Sequence, residues 1–446
     1  MKTKYLASAA ALAFSASGAL AQDFVFPVGE GAFNWDSYTA YAEANDYSGE
    51  TLTITGPWTG ADAALVESML AYFAAATGAT VQYNGSDSFE QDLVIATQAN
   101  SPPNIAVIPQ PGLMADLAAR GELTPLADGT ADWVRENYAA GESWVSLGTA
   151  AGADGTEALY GFFYKVDVKS LVWYSPEAFD EAGYDIPETM EDLLALSQQI
   201  VDDGGTPWCI GLGSGAATGW PATDWVEDIM LRTQTPEVYD GWVSNEIPFN
   251  DPRIVNAIET FGTFARNEQW VRGGSSAVAA TDFRDSPGGL FTFPPQCYMH
   301  HQASFIPTFF PEGADSDFFY FPAFAGEDLG NPVLGAGTLM AITDDAPVAH
   351  AFIEWLQTPI AHEVWMAQSG FLTPFTAVNT DLFGSDDLRN MNDILLNATT
   401  FRFDASDLMP GEIGAGVFWS GMVDFVGGAD AQSVADSIQA RWDEIN

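Results

Sequence analysis

The feature that most constrains the fold is a regular alternation of short apolar strands and helices near the start of the chain. Over residues 51–119, strands and helices are predicted to alternate in the order 51–55, 61–77, 80–83, 88–99, 105–108 and 113–119. A strand, a helix and a further strand in succession favour parallel pairing of the strands. This rhythm therefore predicts an α/β domain with a parallel sheet and helices on its faces.

Three predicted loops in this region follow the carboxyl ends of the strands. Ligands of parallel sheets collect at such loops, because the carboxyl ends of the strands meet at one edge of the sheet. The loops carry an indole, a hydroxyl, a carboxylate and an amide, all of which can contact a ligand. The candidate ligand-binding residues here are Trp58, Thr59, Asp87 and Gln110.

The charge balance of the 446-residue chain is strongly acidic, with 61 acidic residues against 14 basic ones and a formal net charge of −47. Charged residues make up only 17% of the chain, so the acidity reflects a shortage of lysine and arginine rather than long acidic runs. A disordered acidic tail would lack the 13% aromatic content found here. The balance excludes nucleic acid and anionic membrane surfaces as partners, and it suits a protein in salty surroundings.

The first 21 residues have the pattern of a cleaved secretory leader. Lys2 and Lys4 form a positive start, residues 6–19 are mostly apolar or small, and residues 19–21 match an A-x-A cleavage site. The apolar stretch is too short to span a membrane, and no cysteine lies near the cut to carry a lipid anchor. We therefore expect an exported, soluble chain that begins at about residue 22.

Two cysteines, Cys209 and Cys297, occur in the whole sequence. An even number of cysteines in an exported chain favours a disulfide bond between them. Two free, buried thiols are the alternative.

Residues 171–201 combine an apolar strand, a short capped helix and a longer helix. Ser175 is placed to cap the short helix and Gly183 to end it. Thr189 and Asp192 have the spacing of a capping box, which predicts the start of the longer helix.

This combination resembles the same segment of the extracellular solute-binding proteins of ABC sugar importers, of the maltose-binding type. The blocks that carry the resemblance further are residues 219–225, 297–305, 335–342 and 369–374. Residues 211–224 and 401–419 look closest to the alpha-glucoside-binding branch of that family. The resemblance implies an α/β, two-lobed periplasmic binding protein fold, with a hinge of several strands and a ligand cleft between the lobes.

A sugar offers flat C–H faces and rings of hydroxyl groups, so its site needs aromatic platforms and a few fixed polar groups in a cleft. The blocks that match the family carry such residues at predicted loops and strand ends. By this resemblance, the further candidate ligand-binding residues are Trp173, Tyr174, Trp220, Asp224, His301, Gln302, Gly337 and Trp419. Each side chain among them has an alternative role in the core or at a helix cap. The cluster Arg402, Asp404 and Asp407 either binds ligand or is paired within itself.

A chain of 446 residues exceeds what one hydrophobic core usually supports, so two lobes are expected. The predicted segments are the leader at 1–21, lobe one at 22–164, lobe two at 165–305, a return to lobe one at 306–360 and a final part of lobe two at 361–446. Several crossings between lobes make a hinge, and closure of a hinge traps a ligand between them.

Catalytic patterns are incomplete in this sequence. With 61 acidic residues, some pair of carboxylates always matches a glycosidase, so such a pair has no diagnostic value. The G-x-S-x-G pattern fails at Leu212, and residues 362–363 lack the second histidine of H-E-x-x-H. Residues 300–301, two adjacent histidines, do not by themselves make a zinc site. We predict a protein that is not an enzyme and has no cofactor or bound metal.

The predicted function is that of the periplasmic substrate-binding component of an ABC sugar importer. Its expected partners are a carbohydrate ligand, in the first place an alpha-glucoside such as trehalose, sucrose or maltose, and the transmembrane subunits of a permease. The chain is expected to be a monomer. An exported polysaccharide lyase or glycoside hydrolase is the alternative function, and a surface adhesin is a third.

Overall fold

The computed structural model describes residues 24–398 and 400–445, so the expected leader lies outside the described residues. Within them, the strands form three sheets. The strands are β1 (Thr51–Gly56), β2 (Thr80–Gly85), β3 (Ile105–Ile108), β4 (Thr149–Ala151), β5 (Glu157–Leu159), β6 (Gly161–Val168), β7 (Leu171–Tyr174), β8 (Met299–His301), β9 (Asp317–Tyr320), β10 (Pro332–Ile342) and β11 (Thr400–Phe403).

Helices make up most of the remaining regular structure. The α-helices are α1 (Trp35–Ala44), α2 (Gly60–Thr77), α3 (Phe89–Gln98), α4 (Pro111–Ala119), α5 (Thr130–Asn137), α6 (Gly141–Gly148), α7 (Pro176–Ala182), α8 (Met190–Asp202), α9 (Trp220–Thr233), α10 (Pro236–Val243), α11 (Pro252–Ala265), α12 (Pro347–Trp355), α13 (Pro359–Met366), α14 (Asp386–Asn397), α15 (Ala405–Leu408), α16 (Trp419–Val426) and α17 (Ala431–Ile445). A π-helical segment, Glu412–Phe418, leads into α16. No helix in the described part of the chain has both the length and the apolar character that a bilayer span requires.

The largest sheet has the order β11-β10-β3-β1-β2, with β6 also paired to β10. The strands β1, β2 and β3 are parallel, which confirms the prediction from the strand–helix rhythm. In contrast, β10 runs antiparallel to β3 and β6 and parallel to β11. Every residue of β3, β6 and β10 is buried, as expected for a sheet that is covered on both faces.

Two hydrophobic cores divide the described chain into two lobes. The first core surrounds the largest sheet and includes Phe73 of α2 and Trp365 of α13. The second core surrounds the antiparallel sheet β8-β7-β9 and includes Trp208, Trp225 of α9 and Phe261 of α11. The first core also extends into residues at the junction with the second sheet, including Trp173 and Phe283. We call the part of the chain built on the largest sheet lobe one, and the part built on the sheet β8-β7-β9 and its helices lobe two.

Within residues 24–398 and 400–445 the chain crosses between the lobes three times, and the crossings lie side by side. The first crossing joins β6 to β7, the second joins β9 to β10, and the third joins β11 to α15. Gly335 of β10 is the common neighbour, because it pairs with Val168 of β6 and with Phe403 of β11. The result is a hinge made of three adjacent segments.

The lobe boundaries expected from the sequence differ from this packing at three points. Residues 165–168 belong to β6 in the lobe-one sheet, so the first crossing comes after them. Ile306 and Phe310 pack against the first core, but the following strand β9 pairs with β7 in lobe two, so the crossing into the lobe-one sheet comes at β10. From 361 to 403 the chain still packs on the first core, where α13 lies against α2; the final part of lobe two therefore begins at α15.

Local capping signals fold as predicted in the segment 171–201. The Ser175 side chain accepts a hydrogen bond from the backbone N–H of Ala178, and Gly183 ends α7 with a left-handed φ of 73°. Thr189 and Asp192 form a reciprocal capping box at the start of α8. These interactions are short in sequence, which is why their pattern can be read without the rest of the fold.

The two cysteines form a disulfide bond, with 5.5 Å between the Cα atoms of Cys209 and Cys297. The bond joins the segment after α8 to the segment before β8, across a sequence separation of 88 residues. The expectation of a disulfide bond is confirmed, and the alternative of two free thiols is wrong.

Replacing both cysteines, in the variant C209A/C297A, should lower the free energy of unfolding by about 4 kcal/mol. The physical reason is that the bond removes conformations from the unfolded chain by closing a long loop. Urea unfolding of the oxidised parent and the variant measures the difference. A loss below about 1 kcal/mol would contradict this account of the bond.

Candidate functional site: a cavity between the lobes

A cavity of about 140 Å³ lies between the two lobes, with room for roughly ten water molecules. Lobe one contributes Trp58 after β1, Asp87 after β2 and Gln110 after β3. Lobe two contributes Trp220, the first residue of α9, and Trp419, the first residue of α16. The cavity therefore occupies the edge of the parallel sheet where the carboxyl ends of its strands meet.

Half of the twelve candidate residues from the sequence line this cavity. They are Trp58, Asp87, Gln110, Trp220, Gly337 and Trp419. Gly337 lies on β10, and a Cβ atom there would come within 2.9 Å of the backbone oxygen of Lys165. Glycine at this position lets β6 and β10 approach closely in the floor of the cavity.

Two further candidates support residues that line the cavity without lining it themselves. The hydroxyl of Thr59 donates to Asp87 Oδ1 at 3.3 Å. Asp224 on α9 accepts a hydrogen bond from the Lys169 ammonium at 2.7 Å. Both side chains hold a neighbour in position.

The remaining four candidates lie away from the cavity, within lobe two. Trp173 is fully buried, and its Nε1–H donates to the backbone oxygen of Gln302 at 2.9 Å. The side chain of Gln302 accepts from the backbone N–H of Ala303. His301 Nε2 lies 2.9 Å from a carboxylate oxygen of Asp228. The sequence places these residues at strand ends but does not reveal which side of the sheet each side chain faces. In the structure these side chains face the protein core.

Tyr174, the fourth of these candidates, packs in the second core with its ring centroid 4.6 Å from that of Phe179. Its hydroxyl lies 3.4 Å from Asp317 on β9. This tyrosine therefore fastens β7 to its neighbours in the sheet.

Aromatic rings from both lobes face the cavity. In lobe two the rings of Trp220 and Phe283 meet edge to face, with centroids 4.9 Å apart, and Phe305 stands beside them. In lobe one Trp58 packs edge to face against Trp365 at the same centroid distance of 4.9 Å. The buried indole Nε1–H of Trp419 has no hydrogen-bond acceptor among the described residues. These rings provide apolar faces, and Trp419 provides a free donor.

Two lysines that the sequence analysis did not single out line the cavity. The whole chain has four lysines, and the two outside the leader are Lys165 and Lys169. Both lie in the cavity wall, on β6 and at the first crossing. Lysine is so rare in this chain that these two positions stand out in the sequence, although they belong to no motif.

The ammonium of Lys169 is the centre of a buried ion cluster. Its Nζ contacts Asp224 Oδ1 at 2.7 Å and also bonds to Asp404, at the third crossing. Burial alone would lower the pKa of Lys169, but the carboxylates of Asp224 and Asp404 outweigh it and hold that pKa well above its usual value. The same ammonium lies 5.4 Å from the ring centroid of Trp220. Lys169 thus joins two crossings and supports one aromatic wall.

The three charged residues before Trp419, namely Arg402, Asp404 and Asp407, do not all face the cavity. Asp404 and Asp407 line the cavity. Arg402 points elsewhere, where its guanidinium pairs with Asp240 at 2.6 Å. The alternative in which the three residues pair only among themselves does not hold.

An ion pair closes the cavity from opposite lobes. Arg284 of lobe two donates to Asp87 of lobe one, with 2.6 Å between Nη2 and Oδ1. The backbone at Gly215 also lies against Asp87, since a Cβ atom at this glycine would be 2.8 Å from the Asp87 Cβ. Ion pair and backbone contact together bring the two lobes into contact at one place beside the cavity.

Two carboxyl groups of lobe one that line the cavity have raised pKa values. Burial raises the pKa of Asp62 on α2 to about 6, although Lys165 opposes the shift. Burial also raises the pKa of Glu90 on α3 to about 7, against the hydrogen bond from Gln110 Nε2 at 3.2 Å. Both groups are therefore poised to change charge near neutral pH.

Three buried carboxylates beside the cavity lie close enough to consider a metal ion. Oxygens of Asp224, Glu227 and Asp404 lie within 4.8 Å of one another. The Lys169 ammonium already contacts two of the three groups, and burial raises the pKa of Glu227 well above its usual value. Because the ammonium already compensates two of the three carboxylates, too few charged oxygen ligands are left for a divalent cation, so the set does not fit a metal site.

Comparison with known proteins agrees with this architecture. Residues 55–363 match the family described as bacterial extracellular solute-binding protein. The chain belongs to this family. A relative of this solute-binding protein, the alpha-glucosides-binding periplasmic protein AglE of Rhizobium meliloti (strain 1021), is 61% identical over 100% of both chains. The resemblance to the alpha-glucoside-binding branch is thereby confirmed.

Two further similar proteins extend the comparison. The osmoprotective compounds-binding protein GgtB of Synechocystis sp. (strain ATCC 27184 / PCC 6803 / Kazusa) is 43% identical over 89% of this chain and 93% of its own. The crystal structure of the bacterial solute receptor AcbH matches with a TM-score of 0.75 over 89% of this chain and 99% of its own, at 16% identity. The latter likeness confirms the two-lobed α/β fold of this solute-binding protein.

Because its pKa is raised, Asp62 should stabilise the folded protein at low pH and lose this contribution as the pH rises, which is the opposite of a carboxylate in an ion pair. Its pKa is about 6 in the folded protein against 3.8 ordinarily, so the folded state holds the proton over a range where the unfolded state has lost it. The contribution is present below the lower value and is lost as the pH rises through the higher one. Relative to the parent, the variant D62N should therefore gain stability between about pH 4 and about pH 7. Urea unfolding across this range measures the difference, and one that does not change with pH would contradict the assignment.

The ion pair between Arg284 and Asp87 predicts a salt-sensitive coupling between the lobes. Asp87 is 38% exposed, so the coupling should be modest, about 0.5 kcal/mol in about 0.1 M salt, and should fade towards 1 M. A double-mutant cycle of D87N and R284Q, followed by unfolding at both salt concentrations, measures it. Zero coupling at the lower concentration would mean that the chain without a ligand does not populate the closed arrangement in which this contact forms.

Proposed function

We propose that this chain is the periplasmic substrate-binding component of an ABC importer for an alpha-glucoside. A secretory leader at residues 1–21 directs it to the periplasm, where it acts as a monomer. The ligand binds between the lobes, the hinge closes over it, and the closed protein delivers it to the transmembrane subunits of a permease. A ligand favours closure because only the closed arrangement lets both lobes touch it.

The observation that carries the proposal is the pairing of indole faces from both lobes across one cavity. Trp58 follows β1 of lobe one, and Trp220 and Trp419 begin α9 and α16 of lobe two. Pyranose rings pack their C–H faces on such surfaces while polar groups contact the hydroxyls. The buried Nε1–H of Trp419 and the buried Oε1 of Gln110 have no hydrogen-bond partner among the described residues, and we propose them for those contacts.

The relatives support an alpha-glucoside as the ligand. AglE, which matches over its full length, is named for alpha-glucosides, whereas the more distant GgtB is named for osmoprotective compounds. The proposal therefore ranks trehalose, sucrose and maltose first among the ligands. Osmolytes that are not glucosides belong in the same test because of the second relative.

A thermal-shift and calorimetric screen of the mature chain tests the proposal. Trehalose, sucrose and maltose are compared with galactosides, polyols and glycine betaine. A true ligand at 100 times its Kd should stabilise the protein by about 2.7 kcal/mol. A response to an alpha-glucoside supports the proposal. A response to a different solute alone overturns the choice of ligand, and turnover of a glucoside without saturable binding would favour an enzyme instead.

Replacing the indoles of lobe two should weaken binding without unfolding the protein. The variants W220A and W419A should each raise the Kd for the alpha-glucoside by about tenfold, equivalent to about 1.4 kcal/mol, because each removes an apolar face from the cavity. The matched control is W35A, since Trp35 is a partly buried indole on α1 that does not line the cavity. Titration calorimetry gives the three values, and equal effects in all three variants would contradict a ligand in this cavity.

A further inference from the structure

Asp62 is a carboxylate in the cavity wall with no partner among the described residues. It lies in the first turn of α2, it is 9% exposed, and it lines the cavity. No hydrogen bond or ion pair to its side chain occurs within residues 24–398 and 400–445. A carboxylate that is nearly buried without a partner is costly, so its retention here calls for a group that is absent when the cavity is empty.

Unlike Asp62, each of the three cations in the cavity wall already has a carboxylate partner. Lys165 Nζ contacts both oxygens of Asp167, at 2.7 and 2.8 Å. Lys169 is bound to Asp224 and Asp404, and Arg284 to Asp87. An anionic ligand would have to break one of these pairs and then face the unpaired carboxylate as well.

Resting on the function proposed above, we propose that Asp62 is a specificity-determining residue: it accepts hydrogen bonds from hydroxyl groups of the ligand and restricts the site to uncharged, hydroxyl-rich compounds. The internal pairing of the cations leaves three carboxyl groups of the cavity wall without a cation among the described residues: Asp62, Glu90 and Asp407. Burial raises the pKa of Asp407 well above its usual value and the pKa of Glu90 to about 7, whereas the pKa of Asp62 is about 6, so Asp62 carries the largest share of negative charge among the three at neutral pH. Asp62 is then the group that separates a hydroxyl, which donates to it, from a phosphate or a uronate, which it repels.

The position of Asp62 suits this role. The α2 helix follows the β1 loop that carries Trp58, so the carboxylate and an aromatic face come from one short stretch of lobe one. Trp220 and Trp419 approach from lobe two. A ligand ring held against these faces presents its hydroxyl groups around its edge, within reach of a carboxylate in the same wall.

The test uses the mature full chain and charged counterparts of one sugar. Whichever of trehalose, sucrose and maltose binds the parent most tightly is titrated against D62N, together with its 6-phosphate and, for trehalose, the cationic trehalosamine. The parent should bind the neutral sugar at least about 100-fold more tightly than the phosphate. In D62N the neutral sugar should bind about 10- to 100-fold more weakly, because a hydrogen bond to a charged acceptor is lost. The preference over the phosphate should shrink.

A matched control and a folding readout keep the outcomes distinct. E67Q alters an exposed carboxylate on the same helix, outside the cavity, and should leave every Kd within about twofold. Thermal unfolding without ligand should find D62N at least as stable as the parent, since it removes a buried charge.

Three other results would contradict either the role of Asp62 or the proposed function. A D62N affinity within about twofold of the parent overturns the role of Asp62 while leaving the proposed function intact. Tighter binding of trehalosamine than of trehalose overturns it too, by making Asp62 the partner of a cation. A parent chain that binds none of the three sugars overturns both this inference and the proposed function.

Discussion

The ion cluster of Lys169 is the interaction on which the arrangement of the two lobes depends. Its ammonium bonds to Asp404, so the first and third crossings are held together at the bottom of the cavity. The backbone N–H of Lys169 also donates to Leu334 of β10 at 2.8 Å, which adds the second crossing. A buried ammonium needs charged partners to offset its lost hydration, and the partners here come from segments that are far apart in the sequence. The cluster therefore fixes the floor of the site while the lobes above it remain joined by only three segments.

This floor explains how a cavity in a very acidic protein can suit a neutral ligand. The chain carries a formal charge of −47, yet Lys165, Lys169 and Arg284 all lie in the cavity wall. Each is matched by a carboxylate, so the local charge differs from that of the surface. In the proposed function, hinge closure forms the Arg284–Asp87 pair between the lobes. The ligand then supplies apolar ring faces for the indoles and hydroxyl groups for the polar atoms that have no partner among the described residues.

Interactions that are local in sequence could be predicted, and those that depend on the path of the chain could not. The caps of α7 and α8, the parallel β1–β2–β3 sheet and the loops behind it follow from short patterns, and these loops supply Trp58, Asp87 and Gln110. Trp173 and His301 are buried away from the cavity. A strand end has two faces, and only packing decides which of them a side chain takes. Lys169 was missed because its partners lie 55 and 235 residues further along the chain. No periodicity or motif links such positions, although the scarcity of lysine marks them.

In the function proposed here, the cavity between the lobes binds an alpha-glucoside and the three-segment hinge closes over it. Small-angle X-ray scattering of the mature chain, with and without a saturating alpha-glucoside, tests this most directly, because closure brings the masses of the two lobes together. The account predicts a smaller radius of gyration with the sugar and no change with its 6-phosphate at the same concentration. Saturable binding of the sugar with an unchanged radius of gyration would contradict it.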